Sequence, residues 1–275
     1  TTTVTMPAAH ATVSARHPRQ LPRTPATRAS DPSAKAACPT ADTSPQGNAG
    51  RRDASSATAT WLVPTQAAQA LLPGPELEIA EVMPGRGLLS IACIDYRDND
   101  LGDYNEVSIA FFVRRRGAKK GVPYLGTAVD MMRGKLATHI IHLPVNQSFT
   151  CEAGNRIWGF PKTVDEIELD TSGDRALCIW NKDGQNVLKI SLPKGGERDF
   201  PEQNLSTYSY IDGALHETPF VSSAEDLGVR LGGAELSLGA HPIADELRSL
   251  GLPKPALMSM WLGKMRGSFG AAHPC

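Results

Sequence analysis

The sequence predicts an α+β protein that is mostly antiparallel β, a barrel or sandwich with a few peripheral helices. Three observations predict this class. Apolar or alternating runs of strand length recur from Glu76 onward. Asp183-Gly184 and Asp212-Gly213 each separate two such runs, a strong short-range hairpin signal. Helical patterns are few and short, and no Rossmann-type alternation of strand and helix is visible.

The elements follow in order. Residues 1–60 contain no Phe, Tyr, Trp or Ile and a single leucine, Leu21. That composition cannot offset the entropy of ordering, so a flexible tail is expected there and a folded domain over 61–275. The Arg-rich, acid-poor start resembles a transit peptide in composition, but its prolines break an amphipathic helix. A cytoplasmic protein is expected, with organellar targeting left open. "PTQAAQALLPG" reads as a short helix with Thr65 as N-cap and Pro73 closing it. "ELEIAEVM", "GLLSIACIDY", "EVSIAFFV" and "LATHIIHL" read as strands. "FTCEAGNRIW" reads as a helix capped by Ser148. "CIWNKDGQNVLKI" and "STYSYIDGALHETPF" are the two Asp-Gly hairpins, and "VRLGGAELSL" suggests a third around Gly232-Gly233. "PIADELRSLG" is a helix with Pro242 in its first turn and Gly251 just past its end.

Charge and cysteine usage exclude several classes. Lys and Arg total 28 against 29 Asp and Glu, which predicts neither a nucleic-acid nor a membrane partner. No apolar run approaches the roughly 18–20 residues that span a bilayer. Five cysteines without any C-x-x-C spacing read as reduced thiols, not as a disulfide framework or zinc site. "GRGLLS" lacks the third glycine of a dinucleotide fingerprint. "DYRDNDLGDYNE" is dense in carboxylates, yet Gly102 and Asp103 stand in the wrong order for an EF-hand. His139 and His142, three apart on a strand, would point to opposite faces and share no metal. "RRRGAKK", residues 114–120, reads as a solvated loop. No metal or cofactor is therefore expected.

Lys162 and Glu106 survive this sieve. In "RIWGFPKTVDEIEL" a helix ends near Trp158, Gly159 suits the left-handed turn beyond it, and Pro161 stiffens the chain before Lys162. Trp158, Phe160 and Val164 are its apolar neighbours in sequence. A free lysine titrates near 10.4, so few such amines are neutral at pH 7, and burial favours the neutral form in general. A neutral amine can form a Schiff base with a keto group, and the protonated imine then acts as an electron sink. On residues alone, a solvated lysine on a turn is the competing reading. The acidic residues Asp165, Glu166 and Glu168 read as the exposed part of a strand.

The segments "LLPGPELEI", "LGDYNEVSIAFFV" and "EAGNRIWGFPK", in this order, resemble the acetoacetate decarboxylase family. The P-K step after an aromatic is the most specific of these marks. The resemblance covers roughly Trp61 to the C-terminus. It implies a β-barrel or sandwich assembly, homo-oligomers, Lys162 as the Schiff-base lysine and Glu106 as the glutamate beside it. Tyr104, Trp158, Phe160, Thr163, Arg97 and Arg156 complete the set as candidate substrate-binding residues. Departures accompany the match. The family's decarboxylases carry a second lysine where this chain has Thr163. Their arginine before the first helix aligns with Leu62, and a second acidic residue aligns with Ile91. The resemblance thus implies a lyase acting on a keto acid or related carbonyl compound, by decarboxylation or by aldol or dehydratase chemistry. Two alternatives stay open: a cyclase or isomerase that makes no imine, and a non-catalytic binder of a small ligand.

Overall fold

The computed structural model describes residues 53–98, 102–118, 122, 124–133 and 135–275. Of the expected tail, residues 1–52 lie outside the described residues, as do Lys119 and Lys120 of the basic loop and residues 99–101 of the carboxylate-rich loop.

The described chain runs β1 (Ala54–Pro64), α1 (Thr65–Gln69), β2 (Leu77–Ile79), β3 (Arg86–Tyr96), β4 (Tyr104–Arg115), α2 (Leu125–Met132), β5 (Ala137–Val145), α3 (Ser148–Trp158), β6 (Lys162–Val164) and β7 (Glu166–Asp170). It continues with β8 (Arg175–Lys182), β9 (Gln185–Pro193), β10 (Arg198–Ile211), β11 (Ala214–Leu231), β12 (Glu235–Leu238), α4 (Pro242–Ser249), β13 (Met258–Phe269) and β14 (His273–Pro274). Seven strands close a barrel in the order β4-β3-β1-β13-β11-β10-β5, with β5 returning to β4. A second sheet has the order β12-β9-β8-β7. Pairing is antiparallel except where β5 runs parallel to β10 and to β6. The predicted class, mostly antiparallel β with few helices, is the class observed.

Both Asp-Gly hairpins form. Asp183, Gly184, Asp212 and Gly213 all have positive φ, the geometry of a two-residue type I′ turn. The third expected hairpin does not. Gly232 and Gly233 instead turn the chain out of the barrel, and β12 pairs with β9 of the second sheet. Local periodicity alone cannot tell a hairpin from a change of sheet.

The domain also begins earlier than predicted. β1 starts at Ala54 and is hydrogen-bonded to β3 along its whole length. Its residues 54–60 are Ala, Ser and Thr, which composition reads as tail. Ala57 and Ala59 are nonetheless buried in the main core beside Trp61, where small side chains allow close approach. The expected helix caps also differ. Pro64 precedes α1 in extended conformation, and the buried Thr65 hydroxyl lacks a hydrogen-bond partner. Gln147, not Ser148, occupies the cap position of α3.

One face of the barrel packs on the second sheet and α4. Trp61, Val63, Leu89, Ile91, Ile109 and Phe111 meet Trp180, Leu188, Ile190 and Leu247 in a single cluster. Alternation along β4 explains the division: Val107, Ile109, Phe111 and Val113 are fully buried toward this core, so Glu106, Ser108 and Ala110 face the other way. His139 donates from Nδ1 to the Tyr208 carbonyl at 2.9 Å, while His142 Nε2 meets Glu246 Oε1 at 2.8 Å. The two histidines thus have different partners. No helix among the described residues is long and apolar enough to cross a membrane.

Candidate active site

Lys162 arrives at its position through a helix stop. Gly159 ends α3 in the left-handed region at φ 64°, its N–H bonding to Asn155 O and that of Phe160 to Gly154 O. A side chain at Gly159 would also meet the Tyr210 carbonyl at 2.7 Å, so both backbone angle and space require glycine. Pro161 follows, spanned by a bond from Lys162 N to Phe160 O at 2.8 Å. Lys162 then opens β6, beside Leu143 of β5.

One face of α3 holds the lysine's backbone and stem. Cys151, Gly154 and Asn155 recur at helical spacing, i, i+3 and i+4. The Asn155 carboxamide accepts from Lys162 N at 3.2 Å and donates to Lys162 O at 3.0 Å. Cys151 Sγ donates to the same carbonyl at 3.3 Å. A methyl group at Gly154 would stand 2.5 Å from Lys162 Cδ and 2.8 Å from Cε. The lysine stem therefore occupies the space that a side chain at 154 would take.

The amine ends on Glu106. Nζ lies 2.7 Å from Glu106 Oε2, and the two side chains are only 7% and 8% exposed. Nζ also sits 5.4 Å from the centre of the Tyr104 ring, within cation–π range. Tyr104 stacks on Tyr96 at 4.5 Å. Burial first, then the Glu106 charge, pushes both phenols well above their ordinary titration range, so they stay protonated.

Strand register defines what surrounds Glu106. Its cross-strand neighbours are Ile94 on β3 and Val145 on β5, and Ile94 in turn faces Ser56 on β1. Ile91 is buried in the core on the opposite face. Leu62 lies six residues along β1 from Ser56, about 20 Å at strand rise. The sequence alignment of those two positions thus points away from the site, yet its consequence stands: Glu106's rung contributes no second charge on β1, β3 or β5.

The other candidates are distributed as follows. Tyr104 is at the amine. Trp158 and Phe160 stack at 6.0 Å and both meet Phe269, and Trp158 Nε1 donates to Gly270 O. This aromatic cluster anchors the turn, while the ring at the amine is that of Tyr104. Arg97 is bound to Asp53, Asp95 and Ser55. Arg156 is 77% exposed and pairs with Glu152 along α3. Thr163 is exposed and donates to Asp165 at 2.9 Å. Asp165 is a correction to the exposed-strand expectation. Its carboxylate is 3% exposed and also accepts from Trp180 Nε1 at 3.0 Å and Lys182 Nζ at 2.7 Å. Glu166 and Glu168 are exposed as expected. Sequence reasoning missed Gly154, Asn155 and Asp165. The helical spacing of the first two ahead of Gly-Phe-Pro-Lys was the available signal.

Comparison with known proteins assigns the family and the fold. The profile of the family described as acetoacetate decarboxylase (ADC) matches residues 29–270. The chain belongs to the acetoacetate decarboxylase family. No curated protein matches the sequence significantly. Among solved structures, the enduracididine biosynthesis enzyme MppR complexed with pyruvate superposes with a TM-score of 0.54 at 14% identity, covering 81% of this chain and 88% of that one. An acetoacetate decarboxylase from Legionella pneumophila gives 0.51 at 17% identity, over 84% and 94% of the two chains. An acetoacetate decarboxylase-like enzyme from Sphingomonas wittichii RW1 gives 0.51 at 14% identity, over 82% and 92%. These similarities share the fold, and membership of the family supports an enzyme of the carbonyl-acting, lyase-like kind.

Proposed function

We propose that the protein is a Schiff-base-forming lyase acting on a keto acid or related carbonyl compound. The observation that carries this reading is the buried contact of Lys162 Nζ with Glu106 Oε2 at 2.7 Å. In this reading Lys162 is the nucleophile and Glu106 moves its protons. The amine gives a proton to the carboxylate, then its nitrogen bonds the substrate's carbonyl carbon. The carbonyl oxygen gains two protons and leaves as water, and a protonated imine remains. When a bond to the neighbouring carbon breaks, its electron pair moves into the imine to form an enamine. Loss of carbon dioxide, of an aldehyde or of a proton each satisfies that balance. Glu106 takes up the proton released with the aldehyde or from the carbon, or one from solvent when carbon dioxide leaves. It then delivers that proton to the enamine carbon, and water releases the product.

The set of neighbours bears on the choice among these outcomes. In acetoacetate decarboxylase the reactive amine is activated beside another cationic group. Here the residue after the lysine is Thr163, turned to Asp165, so it supplies no second ammonium. Aldol-type condensation or dehydration therefore stands beside decarboxylation. MppR, whose structure holds pyruvate, makes pyruvate a reasonable first probe.

Exchange of pyruvate methyl hydrogens for deuterium, followed by NMR, tests enamine formation. Wild-type protein is expected to catalyse exchange, and Lys162→Arg to abolish it while keeping a cation beside Glu106. Glu106→Gln should slow exchange at least about 100-fold. Undiminished exchange by Lys162→Arg would exclude the imine.

A further inference from the structure

Glu106 belongs to a face whose other residues have no part in the chemistry above. Two residues along from its rung, β4, β3 and β1 present Ser108, Ala92 and Thr58, and the next rung presents Ala110, Ser90 and Thr60. Ser56 lies on Glu106's own rung, and its hydroxyl is 3.3 Å from that of Thr58. On the opposite face of the same rungs, Ala57, Ala59, Ile91, Cys93, Val107 and Ile109 are apolar and buried.

Two features separate this face from an ordinary solvated sheet surface. β1, β3 and β4 each have a strand on both sides, so solvent can reach Thr58, Ser90, Ala92 and Ser108 only across the face, and all four are half-buried or buried. A water-facing sheet also carries long charged side chains. Between Ser56 and Thr60, Ser90 and Ile94, and Glu106 and Ala110, the only charge on this face is Glu106. The side chains on these three strands are short, the rungs continue onto β13 with Met258, Met260 and Leu262, and each hydroxyl can donate one hydrogen bond and accept others.

We propose that this hydroxyl-lined face receives the non-reacting tail of the substrate, and that the tail is itself hydroxylated. The inference rests on the imine reading of Lys162 and narrows its substrate class to polyhydroxylated keto acids. The rung of Thr58 and Ser108 lies one strand period, about 6.6 Å, beyond Glu106, within reach of a short carbon chain attached to an imine carbon. An aliphatic tail would leave those hydroxyls desolvated and unpaired, which disfavours it.

Borohydride trapping of the imine at graded concentrations of two six-carbon acids tests this. Ketodeoxygluconate carries hydroxyls along its tail, and α-ketocaproate carries none. The expected half-saturating concentration is about tenfold lower for the hydroxylated acid, the worth of one or two hydrogen bonds. Thr58→Val together with Ser108→Ala should bring the two values together, and the ratio read within each protein cancels any general effect on the amine. Equal trapping of both acids by the wild type, or a ratio unmoved by the double substitution, overturns the hydroxylated tail and leaves the imine intact. If neither acid nor pyruvate is trapped at Lys162, the imine reading falls and this inference falls with it.

Discussion

A lysine and a glutamate with side chains less than a tenth exposed depend on one another. Removing one member of a buried pair strands the other charge, at a cost of about 3–5 kcal/mol. Lys162→Met should therefore destabilise the fold by that amount in urea titrations. Adding Glu106→Leu should recover much of the loss, since a well-packed apolar pair often replaces an ionic one at little cost. A double as unstable as the single would show that packing, not charge, dominates here. Gly154 makes a related prediction. Gly154→Ala drives a methyl group into the Lys162 stem and is expected to cost about 1–3 kcal/mol, as overpacked sites do. Peptide exchange confined to α3 and β6 would locate the strain. Lys162 and Glu106 were legible in the sequence, through Gly159, Pro161 and the matching segments. Gly154 and Asn155 were legible only in part, because their role depends on β6 folding back against α3.

α3 and β6 act as one unit at the next scale. The helix face of Cys151, Gly154 and Asn155 grips Lys162 from one side, and Asp165 ties the strand's end to Trp180 and Lys182 of β8 from the other. Asp165→Ala unpairs both and should lower stability by about 1–3 kcal/mol. Hydrogen exchange should rise at Val164 and across β7 before it rises in the barrel. A uniform change over the whole protein would contradict a local role for this anchor. Nothing in "TVDEIEL" distinguishes Asp165 from Glu166, because its partners lie in a later strand. β1 was missed for a comparable reason. Its Ala, Ser and Thr residues count as tail by composition, and only pairing with β3 and β13 gives them a fold. The two Asp-Gly hairpins needed no such partner and were read directly.

For the whole molecule, the core between barrel and second sheet sets stability, and His139 makes it sensitive to pH. Burial holds the His139 imidazole below its ordinary range, only partly offset by its bond to the Tyr208 carbonyl. The unfolded chain therefore binds the proton first, near pH 6.5, and stability falls as pH drops from there toward the lower folded value. His139→Gln should flatten this part of the profile, read as urea midpoint against pH, whatever it does to the absolute midpoint. The Asp53 carboxyl, held low by Arg97, adds its own loss only at pH below about 4. An unchanged slope between about pH 6.5 and 5 in the variant would assign the effect elsewhere. Fold class was legible at this scale because hairpins and strand patterns are local. Barrel closure was not, because the parallel pairing of β5 with β10 joins segments with no turn between them.

The most direct measurement is the peptide map of protein reduced with borohydride in the presence of pyruvate. Imine chemistry at Lys162 predicts one reduced adduct, on the peptide that contains this residue, and none in Lys162→Arg. An adduct on another lysine, or an unmodified Lys162 across a range of keto acids, would contradict it.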